Sequence, residues 1–328
     1  MNVSRPASPD PSGPEPSEAS TKMIHVERIA DLRAACDAAR AEGKRVGLVP
    51  TMGFLHAGHR SLMRSAGAAT DFVVVTIFVN PLQFGANEDL DRYPRDLAGD
   101  LEACAAERVD CVFTPSVAEM YPRPPLTTVH VEGLTAELCG AARPTHFDGV
   151  TTVVAKLFAI AGPCVAFFGR KDAQQLAVIT RMAGDLDLPI EVVGCPIVRE
   201  ADGVAMSSRN AYLTAADREA ARVLSHALRR AVDAITGGER DATRVAHIVR
   251  ETVGTEPRVE LEYAEIRDAH ELTPMNALEG SVLIALAARV GPTRLIDNVL
   301  VQVDGSRVSA DLGVADLNAP GGSPCNAR

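Results

Sequence analysis

Residues 72–80 read FVVVTIFVN, a nearly unbroken run of β-branched and aromatic side chains that ends in an asparagine. A strand with one face in water alternates apolar and polar residues, whereas a parallel strand covered on both faces is apolar almost throughout. The run therefore predicts a buried parallel strand over 72–80. Parallel neighbours need long crossover connections, so this segment also predicts helices on both faces of the sheet.

Further apolar runs lie on both sides of this strand. They predict strands at 45–50, 110–114, 164–169 and 190–198, and the amphipathic segments between them predict helices at about 59–69, 96–107, 149–161 and 172–185. The segment 45–50 is then the first strand. One-for-one alternation of strands and helices indicates the α/β class and a Rossmann-like doubly wound parallel sheet, whose ligand crevice lies at the carboxyl ends of the strands.

The alternation stops after Val198. Thr214 is the predicted N-cap of a long helix that ends at Gly237, and a second helix is predicted at about 241–251. Strand-like segments then follow without intervening helices, at 259–266, 281–290 and 293–303. This pattern predicts a smaller C-terminal α+β domain.

We therefore expect a Rossmann-like domain at 23–198 and an α+β lid domain at 199–313. The flanking segments 1–22 and 314–328 are rich in Pro, Ser and Gly and contain no run of large apolar side chains. Such segments cannot offset their ordering entropy by burial, so both are predicted to be disordered tails.

Net charge and cysteine usage limit the classes of partner. The 328 residues include 33 Lys+Arg and 43 Asp+Glu, a formal net charge of −10, which argues against nucleic acid and membrane partners. Seven scattered cysteines without a CxxC pair predict neither a disulfide framework nor a structural zinc site. No apolar run approaches the ~20 residues that span a bilayer, and a cytoplasmic location is the default expectation.

The predicted strand at 45–50 runs into TMGFLHAGH, residues 51–59, just before a predicted helix. His56 and His59 then share one face of a helix N-terminus, where free backbone N–H groups and the helix dipole favour phosphate. Gly58 lets a nucleotide approach the backbone closely. Taken alone, the motif is explained equally well by two partly exposed histidines near a turn.

Polar clusters follow the other predicted strands as well. Ordinary turn or cap chemistry also explains Asn80 with Gln83, and Arg170 to Asp172 with Gln174 and Gln175. Met206 to Arg209 are also explained as a polar interdomain hinge, and Arg143 with His146 and Asp148 is a weak signal by itself. The candidates nevertheless fall together at the carboxyl ends of strands, where such sheets bind ligands. This convergence predicts one anion-binding site.

Five motifs make the family recognisable. PTMGFLHAGH, FVNPLQFG, RPTHFDGV, FFGRKDAQQ and VREADGVAMSSRN, in this order and spacing, resemble the pantothenate synthetases (pantoate-β-alanine ligases) of the HIGH-type nucleotidyltransferase superfamily. The resemblance extends from about Met23 to Gly313. It implies ATP-dependent ligation of (R)-pantoate and β-alanine to pantothenate through a pantoyl adenylate, with release of AMP and pyrophosphate, and also Mg²⁺ and a homodimer.

The resemblance also implies roles for individual residues. His59 takes the position of a proton donor, with His56, Lys171 and Arg209 on the phosphates as further catalytic residues, and Asp172 lies near the metal. Asn80, Gln83 and Gln175 would bind pantoate, and Gln83 also lies where β-alanine enters. The implied ATP-binding residues are Met52, Gly53, Phe54, Leu55, His56, Ala57, Gly58, His59, Gly169, Arg170, Lys171, Asp172, Val198, Met206, Ser207, Ser208 and Arg209.

Two positions depart from the family pattern, because Arg170 replaces a usual Glu and Ala173 a usual aromatic residue. These changes leave the packing beneath the loop open. Two alternative functions are another HIGH-type adenylyltransferase, including a tRNA synthetase-like protein, and a non-catalytic nucleotide sensor. The acidic net charge disfavours tRNA, and the intact set of histidines, lysine and arginine disfavours the sensor.

Overall fold

The computed structural model describes residues 23–85 and 88–315. The predicted N-terminal tail, and the predicted C-terminal tail from residue 316 onwards, lie outside these ranges. Within them the chain forms a six-stranded parallel sheet, a four-stranded antiparallel sheet, and a two-stranded parallel ladder.

The parallel sheet confirms the predicted Rossmann-like α/β class. Its strands are β1 Ile24–Val26, β2 Val46–Thr51, β3 Phe72–Ile77, β4 Cys111–Phe113, β5 Cys164–Gly169 and β6 Ile190–Cys195. They lie side by side in the order β1-β4-β3-β2-β5-β6. The chain passes from β2 outward through β3 to β4 and then returns to β5, so the switch in connection direction lies between β2 and β5. A crevice for a ligand is expected at that junction.

Helices cover both faces of this sheet. They are α1 Ile29–Ala41, α2 Ala57–Ala69, α3 Leu97–Ala106, α4 Val117–Met120, α5 Cys139–Ala142, α6 His146–Ala161 and α7 Ala173–Asp185. Val74 of β3 packs in one core with α1 and α6 residues, while its neighbours Val73 and Val75 pack with Leu62 and Met63 of α2. The apolar run at 72–80 is continuous because both faces of β3 are buried.

Three expectations from the sequence were wrong in detail. Segment 45–50 is not the first strand, because the short edge strand β1 precedes it and pairs with β4. The strand predicted to reach Asn80 ends at Ile77, since Asn80 caps a 3₁₀ turn at Pro81–Gln83. The strand predicted at 190–198 is two strands, β6 and β7 Val198–Arg199, because Pro196 between them has no N–H to donate.

The C-terminal part has its own sheet and core. Helices α8 Ala215–Thr236 and α9 Ala242–Val253 pack with strands β8 Val259–Asp268, β9 Gly280–Val290, β10 Thr293–Asp304 and β11 Arg307–Asp311. The sheet is antiparallel in the order β11-β10-β9-β8. None of the helices in the described ranges combines the length and apolar character that crossing a bilayer requires.

The last described residues return to the junction between the two parts. Strand β12 Val314–Ala315 pairs in parallel with β7. The first two residues of the predicted C-terminal tail are therefore in a strand. The predicted division between residues 198 and 199 falls inside β7 and stays a prediction.

Candidate nucleotide and substrate site

Two adjoining cavities open at the carboxyl ends of β2 and β5. The smaller one, of about 240 Å³, lies over the α2 N-terminus. The larger one, of about 610 Å³, extends from there to the C-terminal antiparallel sheet. Both cavities are lined by Arg143, His146, Lys171, Asp172, Gln175, Ser207 and Arg209.

Most of the predicted site residues meet at the smaller cavity. Its lining includes Met52, His56, Gly58, His59, Asn80, Gln83, Gly169, Lys171, Asp172, Gln175, Val198, Met206, Ser207, Ser208 and Arg209. Five residues predicted to bind ATP are not in its lining, namely Gly53, Phe54, Leu55, Ala57 and Arg170.

The turn at Gly53 and Phe54 shapes the site from behind. Both residues have a left-handed backbone, with φ of 83° and 53°. The Asp100 carboxylate, on α3, accepts the N–H groups of Phe54 at 2.9 Å and Leu55 at 2.7 Å. A Cβ on Gly53 would lie 2.8 Å from Asp100 Oδ2. Asp100 was not predicted from the sequence, because a single acidic residue in an amphipathic helix gives no indication of a partner distant in the sequence.

His56 and His59 form a capping box at the start of α2. His56 Nδ1 accepts the Gly58 N–H at 3.1 Å, and His59 Nδ1 accepts the His56 N–H at 3.3 Å. Their ring centroids are 4.0 Å apart. Because each Nδ1 is an acceptor, the proton of each neutral ring lies on Nε2. A Cβ on Gly58 would lie 2.9 Å from the His56 ring, so any larger residue there would have to displace the ring.

Both imidazoles are neutral at pH 7. Burial, with a smaller contribution from the Lys171 charge, lowers the pKa of His56 to about 4. Burial also holds the pKa of His59 well below its ordinary value, with His56 and Lys171 acting in the same direction and Asp172 opposing them. The pair therefore offers two Nε2–H hydrogen-bond donors to an anion rather than two positive charges.

Asn80 holds the turn that carries Gln83. Its Nδ2 donates to Gln83 Oε1 at 3.1 Å and to the Gly149 carbonyl at 3.0 Å, and its Oδ1 accepts from the Tyr121 hydroxyl at 2.9 Å. Gln83 Nε2 lies 3.0 Å from Met52 Sδ. Asn80 is only 1% exposed and its amide is fully engaged, so its geometry suits positioning Gln83 better than binding a substrate.

Arg143 and His146, weak signals in the sequence, line both cavities. Nδ1 of His146 lies 2.9 Å from the Gln83 carbonyl oxygen, which can only accept, so this nitrogen carries the proton. Burial, and secondly the Arg143 charge, lowers the pKa of His146 to about 4. The neutral ring therefore keeps an acceptor at Nε2. Arg143 forms a two-point ion pair with Glu88 at 2.6 and 2.5 Å.

In the loop after β5 and the start of α7, some side chains line the cavities and others bond to the rest of the protein. Lys171 lines both cavities, with its Nζ 3.6 Å from Asp172 Oδ2. Arg170 instead pairs with Asp311 of β11 at 2.6 Å, so its side chain ties the loop to the C-terminal sheet. Gln174 is buried and bonds the backbone of residues 134–139, which leaves Gln175 as the glutamine of this pair in the smaller cavity.

Residues 206–209 close the site from the side of β7. The Ser207 hydroxyl caps the 3₁₀ turn Ser208–Tyr212 by accepting the Arg209 N–H. Arg209 forms a two-point ion pair with Asp89 at 3.1 and 2.9 Å. Burial raises the pKa of Asp89, but hydrogen bonds from Arg209 outweigh it and the net shift is downward. An anionic ligand would compete with Asp89 for this guanidinium. Sequence reasoning missed Asp89, which lies 120 residues away.

A protein-built metal cage is not part of this arrangement. Within the described ranges there is no group of three or more His, Cys, Asp or Glu side chains placed to hold a metal. Asp172 is the predicted metal-binding carboxylate, and it lies beside Lys171 at the cavity. Mg²⁺ is commonly held by one or two carboxylates together with substrate phosphates and water. The donor set fits that mode.

Comparison with known proteins identifies the family. The family model described as pantoate-beta-alanine ligase matches residues 24–300. Pantothenate synthetase from Heliobacterium modesticaldum is 56% identical over 281 residues, which are 86% of this chain and 100% of that protein. Pantothenate synthetase from Pelotomaculum thermopropionicum is 52% identical over 279 residues, 85% and 99% of the two chains.

Solved structures agree with this assignment. A crystal structure of pantothenate synthetase from Thermus thermophilus has a TM-score of 0.80 and 44% identity over 84% of this chain and 98% of that one. Pantoate-beta-alanine ligase from Francisella tularensis, complexed with beta-gamma ATP and beta-alanine, has a TM-score of 0.68 and 32% identity over 84% and 97% of the chains. Because the family model matches residues 24–300, which is most of the chain, the chain belongs to the pantoate-β-alanine ligase family.

Proposed function

We propose that the two cavities join pantoate to β-alanine in two steps, through a pantoyl adenylate that forms with release of pyrophosphate and breaks down with release of AMP. The chain is an ATP-dependent ligase of pantothenate formation, as its family membership indicates. That membership favours this reaction over another HIGH-type adenylyltransferase and over a nucleotide sensor. The observation that carries the site assignment is the pair of neutral imidazoles beside Lys171, at the junction of β2 and β5.

ATP would bind with its phosphates at the α2 N-terminus. The Nε2–H groups of His56 and His59 donate to phosphate oxygens there, and Lys171 supplies the positive charge. Attack of a carboxylate on the α-phosphorus brings one anion onto another, so the site must neutralise charge and hold the attack in line. Arg209 would leave Asp89 for the departing pyrophosphate as the 206–209 segment adjusts to the nucleotide.

Pantoate would be held by the neutral amides of Gln83 and Gln175. A cation paired tightly with the pantoate carboxylate would weaken it as a nucleophile, whereas amides orient its hydroxyl groups without that cost. Gln83 is set in place by Asn80, for which we propose a positioning role in place of the expected contact with substrate.

β-Alanine would reach the adenylate through the larger cavity, which shares Lys171 and Gln175 with the smaller one. Its amine attacks the mixed anhydride directly, so no covalent enzyme intermediate is needed. His146 lines both cavities, and its Nε2 acceptor would orient the amine by accepting one of its N–H groups. The larger cavity thus serves as the second substrate's route.

Asp172 would hold Mg²⁺ together with the ATP phosphates, and the ion would supply charge neutralisation on them. We also propose a homodimer in the cytoplasm, and a division into a Rossmann-like domain at 23–198 and an α+β lid domain at 199–313. These proposals rest on the sequence patterns and the family resemblance.

The reaction sequence is tested by isotope exchange. With pantoate, MgATP and no β-alanine, labelled pyrophosphate should exchange into ATP, because adenylate formation is reversible within the site. Omitting pantoate should abolish the exchange. In the full reaction, ¹⁸O in the pantoate carboxylate should appear in AMP. Formation of ADP and phosphate would mean attack at the γ-phosphorus and would overturn the assignment of the histidines and the 206–209 segment.

A further inference from the structure

Asn298 of β10 reaches from the C-terminal sheet to the loop that carries Lys171. Its Nδ2 donates to the carbonyl oxygen of Arg170 at 2.9 Å and to that of Lys171 at 2.8 Å. Asn298 is 3% exposed, so these two bonds are shielded from water. One side chain therefore holds two consecutive carbonyl groups across 127 residues of sequence.

The Asn298 backbone is itself anchored by a buried ion pair. Asp297 binds Arg199 through two hydrogen bonds of 2.7 and 3.0 Å, and the two side chains are 3% and 4% exposed. Asp297 Oδ1 also accepts the Asn298 N–H at 2.8 Å, and Arg199 donates to the Asn298 carbonyl at 3.4 Å. Arg199 follows Val198, which lines the smaller cavity. The network thus connects two walls of the nucleotide site.

Lys171 needs such support, because among residues 23–85 and 88–315 its nearest charged partner is Asp172, at 3.6 Å. The Asp172 side chain is 48% exposed. An ion pair of this kind contributes little to holding a side chain in one place. What the structure fixes is the backbone turn at Arg170–Asp172 from which the Lys171 side chain extends, and Asn298 is bonded to that turn.

We propose that Asn298 is a positioning residue for adenylate formation, fixing the turn so that Lys171 meets the phosphates of ATP. The inference rests on the proposed role of Lys171 and adds a residue from the opposite part of the chain. Asn298 contacts the turn only through backbone carbonyls, so the donor character of its amide is what matters. A side chain without N–H donors at this position releases both carbonyls.

The test is a double-mutant cycle with pantoate-dependent pyrophosphate exchange as the assay. Asn298→Ala should lower kcat for exchange by about 10- to 100-fold, the range that a displacement of about 1 Å in an active site produces. KM for pantoate should change less than kcat. In the Lys171→Ala background, Asn298→Ala should cause no further loss, because its effect passes through Lys171.

Two further variants control for folding. Asn298→Asp keeps the side-chain volume but replaces the donors with oxygens that face two carbonyls, so its loss of exchange should at least equal that of Asn298→Ala. Gln302→Ala alters the same strand at an exposed side chain outside the lining of both cavities, and should leave exchange unchanged. Melting temperatures measured alongside show whether each variant is folded.

Two results would overturn the inference. One is normal exchange in folded Asn298→Ala or Asn298→Asp. The other is an equal loss from Asn298→Ala with and without Lys171, which would assign Asn298 a general structural role. Absence of pantoate-dependent exchange in the unmodified enzyme would instead reject the proposed function, so the two failures are distinguishable.

Discussion

Replacing Gly149 with alanine tests whether the turn that carries Gln83 must lie directly against α6. A Cβ at Gly149 would lie 2.3 Å from the Leu82 carbonyl oxygen and 2.5 Å from the Gln83 nitrogen. Carbon and oxygen rarely approach closer than about 3.3 Å, so the turn must retreat by about 1 Å. A misplacement of that size at a substrate-positioning group costs up to about 100-fold in rate. The overpacking itself should cost ~1–3 kcal/mol of stability.

The assay is pantoate-dependent pyrophosphate exchange at saturating ATP, with urea unfolding in parallel. We expect kcat/KM for pantoate to fall by about 10- to 100-fold while KM for ATP changes little. Gly67→Ala in α2 is the matched control, because a Cβ there meets nothing within 4 Å. It should raise stability by ~0.5–1 kcal/mol and leave the kinetics unchanged. Gly149→Ala with unaltered pantoate kinetics would refute the reasoning.

Three further changes test other parts of the site. Lys171→Ala should lower the rate of pyrophosphate exchange by about 100-fold or more with the fold intact. The surface control Lys44→Ala should leave the rate unchanged. If the two variants exchange at equal rates, Lys171 is a solvent-facing helix cap. Asp100→Ala should raise KM for ATP and cost ~1–3 kcal/mol of stability, since the N–H groups that the carboxylate accepts lose their partner; unchanged ATP kinetics in exchange assays would contradict its role. Burial holds the pKa of His56 at about 4 in the folded protein, whereas an unfolded histidine has a pKa of about 6.5. Between these pH values the unfolded chain binds a proton at His56 and the folded chain does not. The free energy of unfolding should therefore fall by ~3 kcal/mol as pH falls from 6.5 toward 4. Urea unfolding at pH 7.5 and 4.5 checks this, and His56→Gln should lose less than the unmodified protein; an equal loss would remove His56 as the cause.

Short-range patterns in the sequence predicted most of the parallel sheet and the motifs of the site. The strand at Cys164–Gly169 has the predicted bounds, and the helix predicted at 172–185 differs by one residue at its start. Such elements are predictable because the period of apolar residues reports directly which faces are buried. Most of the predicted site residues also line one cavity at the carboxyl ends of the strands, since parallel strands end at the same edge.

Some elements were not predicted because their sequences carry only a weak periodic pattern. The three-residue strand Ile24–Val26 was not predicted, because an edge strand of this length carries no recognisable period. Helix α1, which follows it, was not predicted either. The same holds for β11, which supplies the partner of Arg170. Arg170 departs from the family pattern, and the structure accounts for it with Asp311, a residue 141 positions away.

By itself the sequence determined the α/β class, the family and the chemical groups available for catalysis. The tertiary structure alone decided which of those groups face the cavity and what holds them there. Three such contacts join residues that are 45 to 127 positions apart in the sequence. They are Asp100 with the Leu55 N–H, Asp89 with Arg209, and Asn298 with the Lys171 carbonyl. Apolar periodicity records that a residue is buried, but its partner depends on strand order and on how the two parts of the chain meet. Those are properties of the whole chain, and a local pattern does not contain them.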